Sequence, residues 1–203
     1  MKTVIKAMVH GVALLLVLPF ALLEKVARAL AGRDVFFAGQ AEFFSLFPGK
    51  AGSYLRNAFY FLALARCPLH LRFLLGTMFT HSEAQLGERV YFGAHCIIGM
   101  ATIGNDTLLA DHVYVLSGRH QHGTTDNSAP IQGQPQTFTQ VTIGKNVWIG
   151  TNTVIMADVG DDCIIGAGSV VTRVVPAGSV AVGNPARVIR SRSGDPAPVA
   201  TAD

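Results

Sequence analysis

Residues 141–190 read "VTIGKNVWIGTNTVIMADVGDDCIIGAGSVVTRVVPAGSVAVGNPARVIR". Their apolar residues follow neither the 3.6-residue period of a helix nor the two-residue alternation of an ordinary strand. They follow six: Ile143-Gly144, Ile149-Gly150 and Ile155 are six apart, and Ile165-Gly166 comes ten later. Upstream the same unit recurs as Leu86-Gly87, Phe92-Gly93, Ile98-Gly99, Ile103-Gly104 and Leu109-Ala110, with one step of five between Ile98 and Ile103. Tandem hexapeptides predict a parallel β-helix over 84–190. Each short strand sends one leucine or β-branched side chain onto the coil below, and the small residue beside it lets the chain turn the corner. A β sandwich would require period two. The ten-residue step lacks an internal apolar pair and predicts one tighter corner.

The repeats are broken by "GRHQHGTTDNSAPIQGQPQTFTQ" (118–140). A polar excursion this long inside a compact repeat is a functional loop or a disordered one. It carries His120 and His122, and imidazole is the side chain suited to taking a proton near neutral pH. Three further histidines, His81, His95 and His112, lie in or before the repeats; His112 is expected to be structural and His81 carries no motif.

Ahead of the repeats the chain changes character. Residues 1–79 hold nine Lys/Arg against three Asp/Glu, and residues 80–203 seven against ten. A basic, apolar front end points to an anionic lipid surface, with a solvated basic face as the bland alternative. Nucleic acid is not expected, because the cations are dispersed among Leu and Phe. From Ala7 to Leu23 no residue is charged, but the run is short for a span and contains Pro19. Glu24, Lys25 and Arg28 stand where a signal peptide keeps its cleavage region uncharged. A helix that spans, re-enters, lies on the bilayer or packs on the core is expected. "NAFYFLALARCPLHLRFLLGTMF" (57–79) reads as two amphipathic helices broken at Pro68, and residues 32–53 as a turn-rich connection with aromatic anchors. Cys67, Cys96 and Cys163 are odd in number and widely spaced, which predicts buried reduced thiols of a cytoplasmic protein. "SGDPAPVATAD" at the chain end reads as a disordered tail over 191–203.

The segments "VWIGTNTVI" (147–155), "IGAGSVVT" (165–172) and "GNPAR" (183–187) resemble the hexapeptide-repeat acyltransferases, which include the maltose, galactoside and serine O-acetyltransferases. The resemblance covers residues 84–190. It implies an all-β fold, a left-handed parallel β-helix with an α-helical apolar N-terminal region (1–83). That front end resembles the branch acetylating cell-surface polysaccharides and their lipid-linked precursors. The implied activity is O-acetyl transfer from acetyl-CoA to a hydroxyl of such a glycan, by a homotrimer on the cytoplasmic face of the inner membrane, with no metal.

The resemblance also implies roles. His120, after Ser117-Gly118-Arg119, matches the catalytic base, and Thr151 the position whose backbone N–H meets the developing oxyanion. His122, His95 and Trp148 would face the acceptor. At His95 the sugar acetyltransferases carry an asparagine, so histidine is a departure. For coenzyme A, held between adjacent β-helices, Trp148 would flank the pantetheine arm and Ala167 and Gly168 would admit it closely. Thr172 and Arg173 would touch its far end, and Arg187 and Arg190 its phosphates. An amino-sugar N-acetyltransferase or a serine-type enzyme stays within the class. A zinc carbonic anhydrase on the same coil, using some of His95, His112, His120 and His122, and a non-catalytic scaffold lie outside it.

Overall fold

A computed structural model describes residues 2–194. Its coil is a three-sided prism of short parallel strands, most of them two residues long. On the first face the inward residues Phe73, Phe92, Leu109, Ile149, Ile165 and Ala181 stack in register. On the second they are Phe79, Ile98, Val115, Ile155 and Val171. On the third they are Leu86, Ile103 and Ile143, continued through single bridges by Val159 and Val175. All are buried, each side chain contributing about 1.5–3 kcal/mol where it is Val, Ile, Leu or Phe. Val159 corrects the reading of the ten-residue step: the third-face residue sits four after Ile155 and six before Ile165, so the step is short at one corner and regular at the next.

Two corners repeat almost identically. Between the first and second faces the turn residue is left-handed in every coil: Gly76, His95, His112, Asn152 and Gly168, with φ from 56° to 75°. Between the third and first faces the same holds for Arg89, Asp106, Asn146, Asp162 and Gly178. From His95 and Asp106 onward each donates its N–H to a carbonyl of the preceding coil, as in His112 to Ala94 (2.8 Å) and Asp162 to Lys145 (2.9 Å), whereas Gly76 donates to the Ser45 carbonyl of α2 (2.9 Å). The glycine after an inward residue is required for a different reason. A Cβ on Gly150 would stand 2.5 Å from the Ala167 nitrogen of the next coil.

The helical part starts with α1 (Lys2–Ala31), α2 (Phe37–Ser45) and α3 (Gly49–Ala63). The fold is therefore mixed rather than all-β. His10, Ala13, Val17, Ala21 and Glu24 form the buried stripe of α1 at helical spacing, while Met8, Leu15, Leu16 and Leu30 are more than half exposed. Glu24 is structural: its carboxylate accepts the Val35 (3.2 Å) and Phe36 (2.6 Å) N–H groups at the start of α2, where a helix has unpaired donors. Arg56 is completely buried with no carboxylate beside it. Its guanidinium donates to the Phe44, Ser45, Phe47 and Phe73 carbonyls, tying α2, α3 and the first coil together.

The coil begins earlier than 84. Helix α3 ends at Ala63, and Phe73 and Phe79 already occupy inward positions of the first coil. The expected helices over 57–79 broken at Pro68 are thus one helix end followed by coil. The repeat went unseen there because its inward residues are phenylalanines interrupted by Arg66 and His70. The 32–53 connection likewise holds all of α2 and the first turn of α3. One hydrophobic core runs from Ala13 and Val17 of α1 through the coil to Val175, so the two parts share an interior. At the other end the chain returns as an antiparallel strand over Ala186–Ser191, so the first residue of the expected tail is the end of a strand; residues 195–203 of that expectation lie outside the described ones. All three cysteines are buried and reduced, and burial pushes the Cys96 thiol up to about 11.

Candidate active site

The third corner, between the second and third faces, breaks the pattern. Here the chain leaves the coil after Val115 and rejoins it at Val141. Both arms are clamped. The Thr139 N–H donates to the Ser117 carbonyl (3.0 Å), Thr137 to Gln121 (3.2 Å) and Gly123 to Pro135 (2.9 Å). Gly118 takes φ 85°, and a Cβ there would meet the Thr139 hydroxyl, so glycine is needed where the loop departs. Ser117 Oγ accepts the Met100 N–H (2.9 Å), and Gln140 donates to the Thr102 hydroxyl (2.8 Å). At the tip the buried Gln134 side chain donates to the Asp126 and Ala129 carbonyls. His81, given no role from sequence, sits edge-on to Phe138 of the returning arm (4.9 Å between ring centres). A 23-residue excursion is thereby a built hairpin.

His120 lies exposed at its base, beside a cavity of about 330 Å³. Arg119, Thr139, Gln140, Met156, Asp158 and Val174 share that cavity. Sequence reading missed Asp158. It lies inside the short step that conceals Val159, and its carboxylate accepts the Thr142 N–H (2.7 Å). Thr172 and Arg173 belong to the same corner, next to Val174. His122 is exposed on the hairpin, its Nδ1 3.4 Å from the Gln136 amide nitrogen.

The other expected residues gather elsewhere. Thr151, Ala167 and Gly168 stand at the regular corner between the first and second faces, in the column that contains His95 and His112. Thr151 is half-buried, with its carbonyl accepting the Gly168 N–H (2.8 Å); Ala167 and Gly168 are exposed, and nothing lies within 4 Å of a Cβ built on Gly168. His95 is an exposed corner residue stacked parallel to His112 (5.2 Å, 17°). Trp148 projects from the first face, 53% exposed. Arg187 and Arg190 line the terminal strand, each donating to a neighbouring carbonyl. Within one chain Thr151 does not meet His120, because the two occupy opposite ends of the second face. The four histidines of the metal alternative split the same way, His95 and His112 at one corner and His120 and His122 at the other.

The bacterial transferase hexapeptide (six repeats) model matches residues 140–173, the span joining the hairpin's return to the regular corner. The putative lipopolysaccharide biosynthesis O-acetyl transferase WbbJ of Escherichia coli K12 is 32% identical over 57% of this chain and 61% of its own length. The chain carries bacterial transferase hexapeptide repeats and is similar to acetyltransferases built on them. Among solved members of this fold, a maltose O-acetyltransferase from Clostridium difficile 630 superimposes with a TM-score of 0.66, 25% identity, and coverage of 76% of this chain and 84% of that one. The Vibrio cholerae hexapeptide-repeat acetyltransferase VCA0836, solved with acetyl coenzyme A, shares the fold (TM-score 0.63, 20% identity, 76% and 84% coverage). The chain spans 37–61% of the lengths of the first curated relatives it matches.

Proposed function

We propose that the protein is an O-acetyltransferase that moves acetyl from acetyl-CoA to a hydroxyl of a cell-surface polysaccharide or its lipid-linked precursor. It works as a trimer of left-handed coils on the cytoplasmic face of the membrane. The observation that carries this reading is the division of the expected site between two corners of one prism. His120 is mounted on a braced hairpin at one corner, and the open backbone of Thr151, Ala167 and Gly168 lies at another. Packing copies side by side around a threefold axis sets one corner against the other, so each site uses His120 from one copy and the donor groove of the next.

In this site the acceptor oxygen attacks the thioester carbonyl carbon while His120 takes the hydroxyl proton. The carbonyl oxygen becomes an oxyanion facing the backbone N–H at Thr151 of the partner subunit. The C–S bond then breaks, and the leaving thiolate takes the proton held by His120. Trp148 flanks the pantetheine arm, and Thr172, Arg173, Arg187 and Arg190 meet the far end of the coenzyme. His122 and His95 face the acceptor. The saccharide named for WbbJ supports the acceptor class, and the acetyl coenzyme A of VCA0836 supports the donor.

The membrane location is supported by α1. Its residues Val4–Ala31 reach a mean hydropathy of 2.1, with only 22% of the most apolar stretch buried, so large side chains face outward while His10 and Glu24 face in. An apolar patch of this extent on the outside of a helix suits a lipid surface. His120→Ala lowers acetyl transfer by about 10²–10⁴-fold with coenzyme A affinity retained, whereas His122→Ala lowers it far less. Steady-state assays on a surface-saccharide panel read both, and full activity in His120→Ala contradicts the assignment.

A further inference from the structure

A cavity of about 570 Å³ lies where the first turns of α1 and α3 meet the opening coil, beside the start of the regular corner at Leu75 and Ala94 and away from the His120 hairpin. Its charge is one-sided. Lys6, Lys50 and Arg72 line it, and among the described residues no Asp or Glu does. At its wall are two histidines in contact. His10 is 3% exposed, and its Nδ1 donates to the Lys6 carbonyl (2.9 Å). That bond fixes the His10 tautomer, leaving Nε2 to accept from His70 Nδ1 (3.2 Å). The dyad therefore presents the remaining nitrogen of His70, which becomes a donor on protonation.

His70 is held in an unusual conformation, φ 107°. Its N–H donates to Asn57 Oδ1 (2.8 Å), and the Asn57 amide donates to the Pro68 carbonyl (3.2 Å). A non-glycine residue held in this region is strained and marks a place where orientation matters. The remaining walls include Tyr54, Leu71 and Leu74, and the exposed Val4, Ile5 and Met8 flank Lys6 on α1. The site thus offers fixed positive charge and an oriented imidazole at the border of an apolar surface.

We propose that this cavity binds a phosphate group, with Lys6, Lys50 and Arg72 balancing its charge and His70 donating to one of its oxygens. The inference holds whatever the chain acetylates. Cations without a carboxylate partner suit an anion, and phosphate accepts several charge-assisted hydrogen bonds at once. The phosphate belongs either to a lipid headgroup or to a soluble phosphate compound, and the two differ in how they arrive.

Proton linkage gives a signature. In the empty cavity burial, then His10 and Lys6, pull His70 below its usual value, and only Glu88 opposes them; Lys50 and Arg72 line the same space. That lowering favours the neutral imidazole, and a bound phosphate draws a proton onto it, so binding takes up protons and tightens as pH falls.

The test uses the full chain in detergent micelles, titrated with inorganic pyrophosphate in calorimetry buffers of different ionisation enthalpy, and vesicle flotation on phosphatidylcholine with and without about 10 mol% phosphatidic acid. Saturable pyrophosphate binding with proton uptake, weakened about tenfold or more in Lys50→Gln, supports the site and a soluble source. Flotation that depends on phosphatidic acid and is weakened in Lys50→Gln supports it with a lipid source. His70→Phe abolishes the proton uptake in either case. Lys50 is exposed on the first turn of α3, so its replacement leaves the fold intact. Binding of neither form, or binding unchanged in Lys50→Gln, overturns the proposal. Acetyl transfer is not read, so failure here leaves the proposed activity standing.

Discussion

The corner between the first and second faces and the corner between the second and third are built on the same coil and treated oppositely by the sequence. At the first, every coil turns through one left-handed residue, and only the side chain changes, from Gly76 to His95, His112, Asn152 and Gly168. At the other the turns are short and variable, and one opens into the 118–140 hairpin. Repetition leaves an exposed edge of small residues and backbone, suited to a long ligand lying along the coil. Irregularity allows one side chain, His120, to be carried out to a chosen place. On the proposed reading, each copy carries a half-site of each kind, which accounts for the separation of His120 from Thr151 within one chain.

Substitutions sharpen the contrast, and the largest effect is expected where the hairpin departs. Gly118→Ala places a Cβ against the Thr139 hydroxyl at φ 85°. A loss of about 1–3 kcal/mol in denaturant melts, with faster proteolysis inside 118–140, is the expected result. A silent Gly118→Ala would mean that the clamp does not hold the hairpin. The regular corner should be far more tolerant. His112→Asn keeps a residue type at home in the left-handed region; it loses only the stacking on His95 and should stay within about 1 kcal/mol of the parent. Asn152→Gly changes stability by no more than about 0.5 kcal/mol. Larger losses in these two would break the comparison by showing that the side chains, not the turn, hold that corner.

Much of this was legible in the residues. The spacing of Leu86, Phe92, Ile98, Ile103 and Leu109, six residues with one step of five, marks the inward positions, because only one side chain per short strand can enter a narrow prism. Two parts of the ladder escaped. Phe73 and Phe79 continue the repeat upstream under aromatic residues and a proline-broken segment, and Val159 sits in a four-residue step that the period hides. The buried charges escaped for another reason. Nothing local marks Arg56 or Glu24 as interior: their partners are backbone groups of distant segments, and Arg56 reaches as far as the Phe73 carbonyl. The hairpin could be read from the interruption itself; His120 was singled out on it by the resemblance, and Asp158, which shares its cavity, was not. That Thr151 stands at a different corner from His120 follows from counting faces around the coil, which requires the register first.

The central claim is that one active site takes His120 from one copy and the donor groove from another. It is tested most directly by mixing two inactive chains. His120→Ala removes the base; Ala167→Trp fills the groove at an exposed position. Each is expected to be inactive alone. After co-refolding in equal amounts, mixed trimers contain interfaces with an intact His120 facing an intact groove, and about a quarter of the wild-type acetyl transfer should return. A mixture no more active than either parent would contradict the account and return the whole site to a single chain.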